Sequence, residues 1–365
     1  MAAELRRRGL GFTLLERAES IGASWRGRYD SLHLHTARWL SGLPGVRIPH
    51  QFGSWVQRDD LVAYLARYAE HFGIAPRFGV SVSRIERADD SWRVQASDGT
   101  YEAGAVVLAT GLSHTPAVPD WSGLHTYTGS FRHSSDYREP SAYVGRRVLV
   151  VGAGNSAAEI ATELSTVAAD VRLSVRTPPN IVRRDICGLP SQVFGIVLRR
   201  WPESVLNALN GGLRRLSVPD LSDYGLPAPP GDGFTQYLRS QTVPILDHGF
   251  VAAVKAGRIG VVPEIARIDG TDVELIDSSV LRPDAIVAAT GFRPDLGGLV
   301  GDLGVLDESG RPRIRGVQTA PSAPGLYLVG LTSVLSGLLR EIGLEARAVG
   351  RVIASTQTSL AVSSR

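Results

Sequence analysis

The chain has 365 residues, room for about two domains at roughly 150 residues each. With 43% hydrophobic and 21% charged residues it is an ordinary globular composition, which excludes a disordered chain. A net charge of +3 places no demand for nucleic acid on the molecule. The single cysteine, Cys187, excludes a disulfide framework and any Cys-x-x-Cys redox centre. No apolar run reaches the ~18 residues of a membrane span, and the start, Met1 to Gly9, lacks the apolar core of a signal peptide. The expectation is a cytoplasmic protein. Glycine is in excess, 40 residues against a usual ~7%, and without Gly-X-Y periodicity this favours tight turns at backbone-binding loops.

In chain order, residues 2–8 read as the end of a helix. Gly11 to Arg17 reads as a strand ending in an acid, Glu16. His33 and His35 alternate in a short segment that invites a metal reading, but no second cluster of ligands accompanies them. Asp59 to His71 is a helical pattern. Ala105 to Gly111 is a buried parallel strand, a short apolar run that ends in glycine. Arg147 to Gly152, Ala285 to Gly291 and Gly325 to Gly330 repeat that pattern. Helical patterns span Ser156 to Ala168 and Leu338 to Ala354. This alternation predicts α/β architecture with parallel sheets. Ala-Thr-Gly closes two of the strands, at 109–111 and 289–291, as a domain inserted into another would produce.

The strongest motif is Gly152-Ala153-Gly154-Asn155-Ser156-Ala157, which follows a strand and opens a helix as a dinucleotide fingerprint requires. Gly152 allows the tight turn and Gly154 the approach of a pyrophosphate, while Ala157 still permits close packing of helix on strand. The pyrophosphate belongs on the helix N-terminus, beside Asn155 and Ser156. The next strand, Val171 to Arg176, ends in Arg176 where an NAD site usually carries an acid. That arginine suits a 2′-phosphate and selects NADP(H) over NAD(H); its plainer reading is a solvated strand-end residue. Glu16 occupies the corresponding ribose position of a second unit. Counting back ~20 residues from it to a glycine loop runs off the start of the sequence.

Several segments together resemble the class B flavoprotein monooxygenases, a group that includes flavin-containing monooxygenases, Baeyer–Villiger enzymes and plant enzymes acting on indole-3-pyruvate. Ile21-Gly22-Ala23-Ser24-Trp25-Arg26 is similar to the family's Gly-Gly-x-Trp flavin loop, with alanine for one glycine. Tyr127 to Tyr137, with Gly129 and His133 between, matches the spacing of Phe-x-Gly-x-x-x-His-x-x-x-Trp, with tyrosine at both aromatic ends. The two Ala-Thr-Gly strand ends match as well. The resemblance covers nearly the whole chain and is weakest over about 180–245.

The resemblance implies two nested Rossmann-like three-layer dinucleotide-binding domains. An FAD domain over 1–125 and 281–365, N-terminally incomplete, is interrupted by an NADP(H) domain over 126–280. It also implies an NADPH- and FAD-dependent monooxygenase. In that family NADPH reduces the flavin, and a C4a-(hydro)peroxyflavin transfers one oxygen from O2 to nitrogen, sulfur or a carbonyl carbon of a small molecule, which is the chemistry the resemblance implies here. Two other readings stand beside it: a flavin NADPH oxidase or reductase, and a non-catalytic NADP(H)-binding protein with weak or lost FAD binding. Against the family, about 12–20 residues are expected before Met1, either because Met1 is a misplaced start or because the chain is naturally truncated.

By the same resemblance, His35 lies near the flavin and nicotinamide, and Ser24 and Trp25 lie at the flavin edge. Val82 is the backbone contact for adenine, and Ser336 and Gly337 open a helix aimed at the flavin. Thr110-Gly111 and Thr290-Gly291 end strands where ligands sit. His133 is expected as structural support and not as a general base. Residues 193–201 read as a substrate lid or local core in preference to a membrane-surface helix. Cys187 reads as inert. Oligomeric state and substrate identity are left open.

Overall fold

The computed structural model describes residues 1–186, 189–198, 220–227, 243–334 and 336–363. Cys187 and most of 193–201 therefore lie outside the described residues or beyond what is described of their side chains. The fold is α/β, and the chain forms two compact units. One comprises Met1–Arg26, Thr36–Thr115 and Arg293–Arg365; the other comprises Gly27–His35 and Pro116–Phe292.

The first unit is built on a meander, Val82–Ala88, Ser91–Ala96 and Gly99–Ala103, paired antiparallel. Beside it Val106–Leu108 and Leu326–Leu328 pair in parallel. Ile85, Trp92, Leu108, Leu326 and Leu328 interlock as its core, and Trp92 is fully buried. The helix Ala2–Arg7 joins the long helix Leu338–Ser363 through Met1, Leu5, Val349 and Ile353. That long helix runs past the expected end at Ala354. The helix Arg58–His71 follows its expected pattern and buries Leu61, Val62, Tyr64 and Tyr68.

The expected strand ending at Glu16 contracts to a single parallel bridge, Leu15 to Arg77. Its cause is local: Glu16 Oε1 accepts the Ala18 N–H at 2.8 Å, and this side-chain turn bends the chain out of the ladder.

The second unit holds a five-stranded, all-parallel sheet. Its order is Gly260–Val262, Asp170–Ser174, Arg147–Val151, Ala285–Ala288, Ser130–His133. Parallel strands covered on both faces should be apolar throughout, and Ala285–Ala288 has no solvent exposure. The helix Asn155–Leu164 is shorter than the expected 156–168. Thr162, Ser165 and Thr166 bond back to carbonyls at its end, the habit that makes Ser and Thr poor helix-interior residues. The chain leaves the Arg147–Val151 strand toward one side of the sheet and returns on the other as Ala285–Ala288. The gap between the carboxyl ends of these two strands is the topological switch point, where ligands bind open α/β sheets.

Candidate functional site: a dinucleotide loop and a buried carboxylate

The glycine loop sits at that switch point. Gly152 has φ +142°, and a Cβ on it would overlap the carbonyl of Ala289 and lie 3.4 Å from the Ala157 Cβ. The loop therefore needs a glycine there and a small residue at Ala157, which is fully buried. Gly154 is extended, the residue preceding the helix, and faces open space. The first bond within the helix runs from the Ala158 N–H to the Gly154 carbonyl. The amides of Asn155, Ser156 and Ala157 thus have no intrahelical acceptor, the arrangement that binds a phosphate.

Asn155 contributes more than its amide. Its Nδ2 donates to the Pro244 carbonyl at 3.0 Å, and its Oδ1 accepts the Leu246 N–H at 2.8 Å. The side chain is taken up by the backbone of the neighbouring strand, Ile245–Asp247, which leaves only its main chain for a ligand. Arg176 lies exposed two residues beyond the strand Asp170–Ser174. Gly291, φ +89°, has open space where a Cβ would stand, and Thr290 Oγ1 donates to the Ala117 carbonyl at 2.6 Å.

His133 accepts the Ser135 N–H on Nδ1 at 3.1 Å and donates from Nε2 to the Gly291 carbonyl at 3.0 Å. Both ring nitrogens are occupied, burial lowers its pKa, and its ring meets Phe292 edge-on at 5.0 Å. It braces the Gly291 turn and has no nitrogen left for proton transfer. The aromatic ends of its motif are anchored too: Tyr127 hydroxyl donates to the Pro283 carbonyl and Tyr137 hydroxyl to Glu163.

His33 and His35 do not lie on a strand, so alternation does not point them to one ligand. His33 Nδ1 bonds the Ser31 carbonyl at 2.8 Å. His35 Nε2 meets Glu159 Oε1 at 2.6 Å, and His248 Nε2 meets the same oxygen at 3.2 Å. Tyr29 hydroxyl donates to Glu159 Oε2. Burial alone would raise the pKa of Glu159, but bonds from His248, His35 and Tyr29 hold it well below the usual carboxylate range. The same bond raises His248, against the pull of burial, and burial together with Glu159 keeps the Tyr29 phenol protonated. Sequence reasoning passed over Tyr29, Glu159 and His248. Glu159 lies two residues past the glycine-loop motif, inside the helical pattern of Ser156 to Ala168, but nothing in the spacing connects it to Tyr29 or to His248, 89 positions away.

In the first unit Glu16 is exposed. The Val80 N–H donates to its carbonyl at 3.0 Å, so the structure brings Glu16 and the start of the Val82–Ala88 strand together. Thr110 is exposed beside Gly111, which has φ +78° and open space at its Cβ position. Ser24 and Trp25 lie on the short helix Ala23–Arg26, Ser24 exposed and Trp25 half-buried. Ser336 is buried and donates to Glu341 Oε1 at 2.6 Å. Its hydroxyl serves the helix start, where the Glu341 N–H donates to the Gly337 carbonyl. Among the described residues no group of three His, Cys, Asp or Glu is placed to hold a metal. None of their helices is long and apolar enough to cross a membrane.

A central parallel strand, a glycine turn that excludes a Cβ and a helix start whose first amides have no intrahelical acceptor define a dinucleotide-binding site of the Rossmann-like class. The chain belongs to the flavin-binding monooxygenase-like family, whose model matches residues 7–360. It is 30% identical over 345 residues to the probable indole-3-pyruvate monooxygenase YUCCA3 of Arabidopsis thaliana, covering 91% of this chain and 79% of that one. It is 31% identical to the indole-3-pyruvate monooxygenase YUCCA1 of Oryza sativa, covering 91% and 83%. A flavin monooxygenase from Stenotrophomonas maltophilia, solved as a mutant, superposes with TM-score 0.74 at 27% identity over 97% of this chain and 95% of its own. Cyclohexanone monooxygenase from Rhodococcus sp. Phi1, bound to NADP+, shares the fold at TM-score 0.69 and 19% identity, over 98% and 82%. The protein is an FAD- and NADPH-dependent monooxygenase with two nested Rossmann-like dinucleotide-binding domains.

Proposed function

We propose that the enzyme inserts one oxygen atom from O2 into a small molecule bearing a nucleophilic nitrogen or sulfur, or a carbonyl group. The unit containing Pro116–Phe292 binds NADP(H). Gly152, Gly154 and the amides of Asn155, Ser156 and Ala157 hold the pyrophosphate, Arg176 the 2′-phosphate, and Thr290 and Gly291 line the strand end. The unit containing Met1–Arg26 binds FAD, with Glu16 at the ribose, Val82 at the adenine and Ser24, Trp25, Thr110, Gly111, Ser336 and Gly337 along the rest. On this allotment the NADP(H) unit is Gly27–His35 with Pro116–Phe292 and the FAD unit is the rest, so the borders fall at 115/116 and 292/293 and not at the expected 125/126 and 280/281.

Reduced flavin, when bound, supplies the oxygen-activating chemistry, and the protein orients the two cofactors and keeps water out. His35 is the side chain proposed to touch the reacting cofactors. The observation that supports this reading best is the glycine turn at Gly152, packed against Ala289 so that only glycine fits. Kinship with indole-3-pyruvate monooxygenases adds 2-oxo acids to the carbonyl substrates worth assaying.

The experiment is direct. Protein reconstituted with FAD should absorb near ~450 nm, a property of the flavin itself. It should consume NADPH faster with a substrate amine, thioether or ketone and yield the oxygenated product by mass spectrometry. NADPH consumption that yields only reduced oxygen species would make it an oxidase instead.

A further inference from the structure

Glu159 has no part in the binding of a dinucleotide described above. It lies one turn along the helix from the glycine loop, and its side chain is only 10% exposed. Burial of an uncompensated carboxylate there would be strongly unfavourable. Three donors compensate it, reaching it from two further stretches of chain: Tyr29 and His35 from Gly27–His35, and His248 from just before the helix Phe250–Lys255. The charged groups around it complete the picture. Arg184, past the strand Ile181–Arg183, acts on both Glu159 and His248, and Glu163, on the same helix, stands beside Asp30.

An ionised carboxylate only accepts hydrogen bonds, so the proton of the His35–Glu159 bond must reside on His35 Nε2. When the ring carries that single proton, its lone pair is on Nδ1. Among the described residues no group bonds to that nitrogen, and the side chain is 28% exposed. His133 provides the contrast within the same unit. It too donates from Nε2, but its Nδ1 is filled by the Ser135 N–H. Of these two rings, one is closed into the fold at both nitrogens and the other is held at one and open at the other.

We infer that Glu159 is a positioning residue that holds His35 as the Nε2–H tautomer and so presents Nδ1 as a hydrogen-bond acceptor to an N–H or O–H group of bound cofactor or substrate. The inference rests on the role proposed for His35. Carboxylate, imidazole and ligand then stand in series, the arrangement by which a buried acid fixes which ring nitrogen does the work.

Nitrogen-15 NMR of histidine-labelled protein tests it without turnover. His35 ring signals, assigned by their loss in His35→Asn, should show the Nε2–H tautomer in the unsubstituted protein. In Glu159→Gln the carboxamide can donate as well as accept, so the two tautomers should mix. Glu159→Asp should restore part of the preference. In steady-state assays Glu159→Gln should lower kcat about ten- to a hundredfold, the scale of a misplaced group, with little change in the KM for NADPH. It should cost nothing further when His35 is already asparagine. An Nδ1–H tautomer in the unsubstituted protein overturns the inference, and that measurement needs no variant to fold. So do unchanged ring signals in Glu159→Gln, or losses that multiply in the double variant. If the ring signals behave as expected but His35→Asn turns over normally, the inference falls because the role proposed for His35 has failed, while the pairing stands.

Discussion

The α-carbon of Gly152 is packed against the peptide carbonyl of Ala289: a Cβ placed on Gly152 would overlap that oxygen and lie 3.0 Å from its carbon. The contact joins the ends of the two strands that flank the switch point, and it fixes how near the turn comes to the sheet. Gly152→Ala must move backbone, not the tip of a side chain, and must also adopt φ near +142°, which an L side chain resists. Overpacking of this kind costs about 1–3 kcal/mol. We expect lower thermal stability and NADPH binding weakened more than tenfold in a fluorescence titration. An alanine variant with unchanged stability and affinity would show that the turn yields freely.

Asn155 supplies a second, separable prediction. Its carboxamide bonds Pro244 and Leu246 on opposite sides, so Asn155→Ala strips a donor and an acceptor from partly buried backbone. Leaving such groups unpaired costs about 1–3 kcal/mol each. Urea unfolding should therefore shift to lower midpoint, while Asn155→Asp, which keeps the acceptor for Leu246 but loses the donor to Pro244, should fall between. If both variants unfold like the parent, the clamp contributes nothing.

The sequence carried the loop and the strands around it but not the carboxylate cluster, for a physical reason. Gly152, Gly154 and Ala157 act through local geometry, and a strand–turn–helix of that kind is visible within ten residues. The apolar runs ending at Gly111, Gly152, Gly291 and Gly330 are likewise local, and each became a paired strand end. Glu159 acts through partners 89 to 130 positions away, brought together only when the sheet order is known. The alternation of His33 and His35 suggested a shared face, yet no strand runs through both, and the two rings take different partners. Glu16 was legible as a residue but not as a strand end, because its own side chain turns the backbone.

Arg176 decides the choice of nicotinamide cofactor if the exposed position past the strand end holds the 2′-phosphate. Bonds to a charged partner are worth roughly 1.5–3 kcal/mol, so Arg176→Ala should weaken NADPH about ten- to a hundredfold in flavin-reduction assays. NADH, which lacks the phosphate, should change little. Equal losses for both cofactors would remove Arg176 from the phosphate site.

The pairing of His248 with Glu159 carries a pH dependence whose sign follows from the two shifts. His248 titrates above its ordinary 6.5 in the folded protein because Glu159 accepts its bond. Its contribution to stability is therefore complete below the unfolded value and is lost as pH rises through the folded one. Glu159 runs the opposite way: against the upward pull of burial, its donors hold it below its ordinary 4.5. Its contribution is complete above that value and is lost as pH falls through the folded one. Both are in force between about pH 4.5 and 6.5. The stability gap between parent and His248→Gln, measured by urea unfolding, should be widest near pH 5.5 and narrow as pH rises beyond 6.5 through the folded value, where the ring loses its charge. Glutamine can still donate one hydrogen bond to Glu159, so the comparison isolates the charge from the contact. A gap that does not change across the alkaline range would mean that His248 serves Glu159 as a neutral donor only.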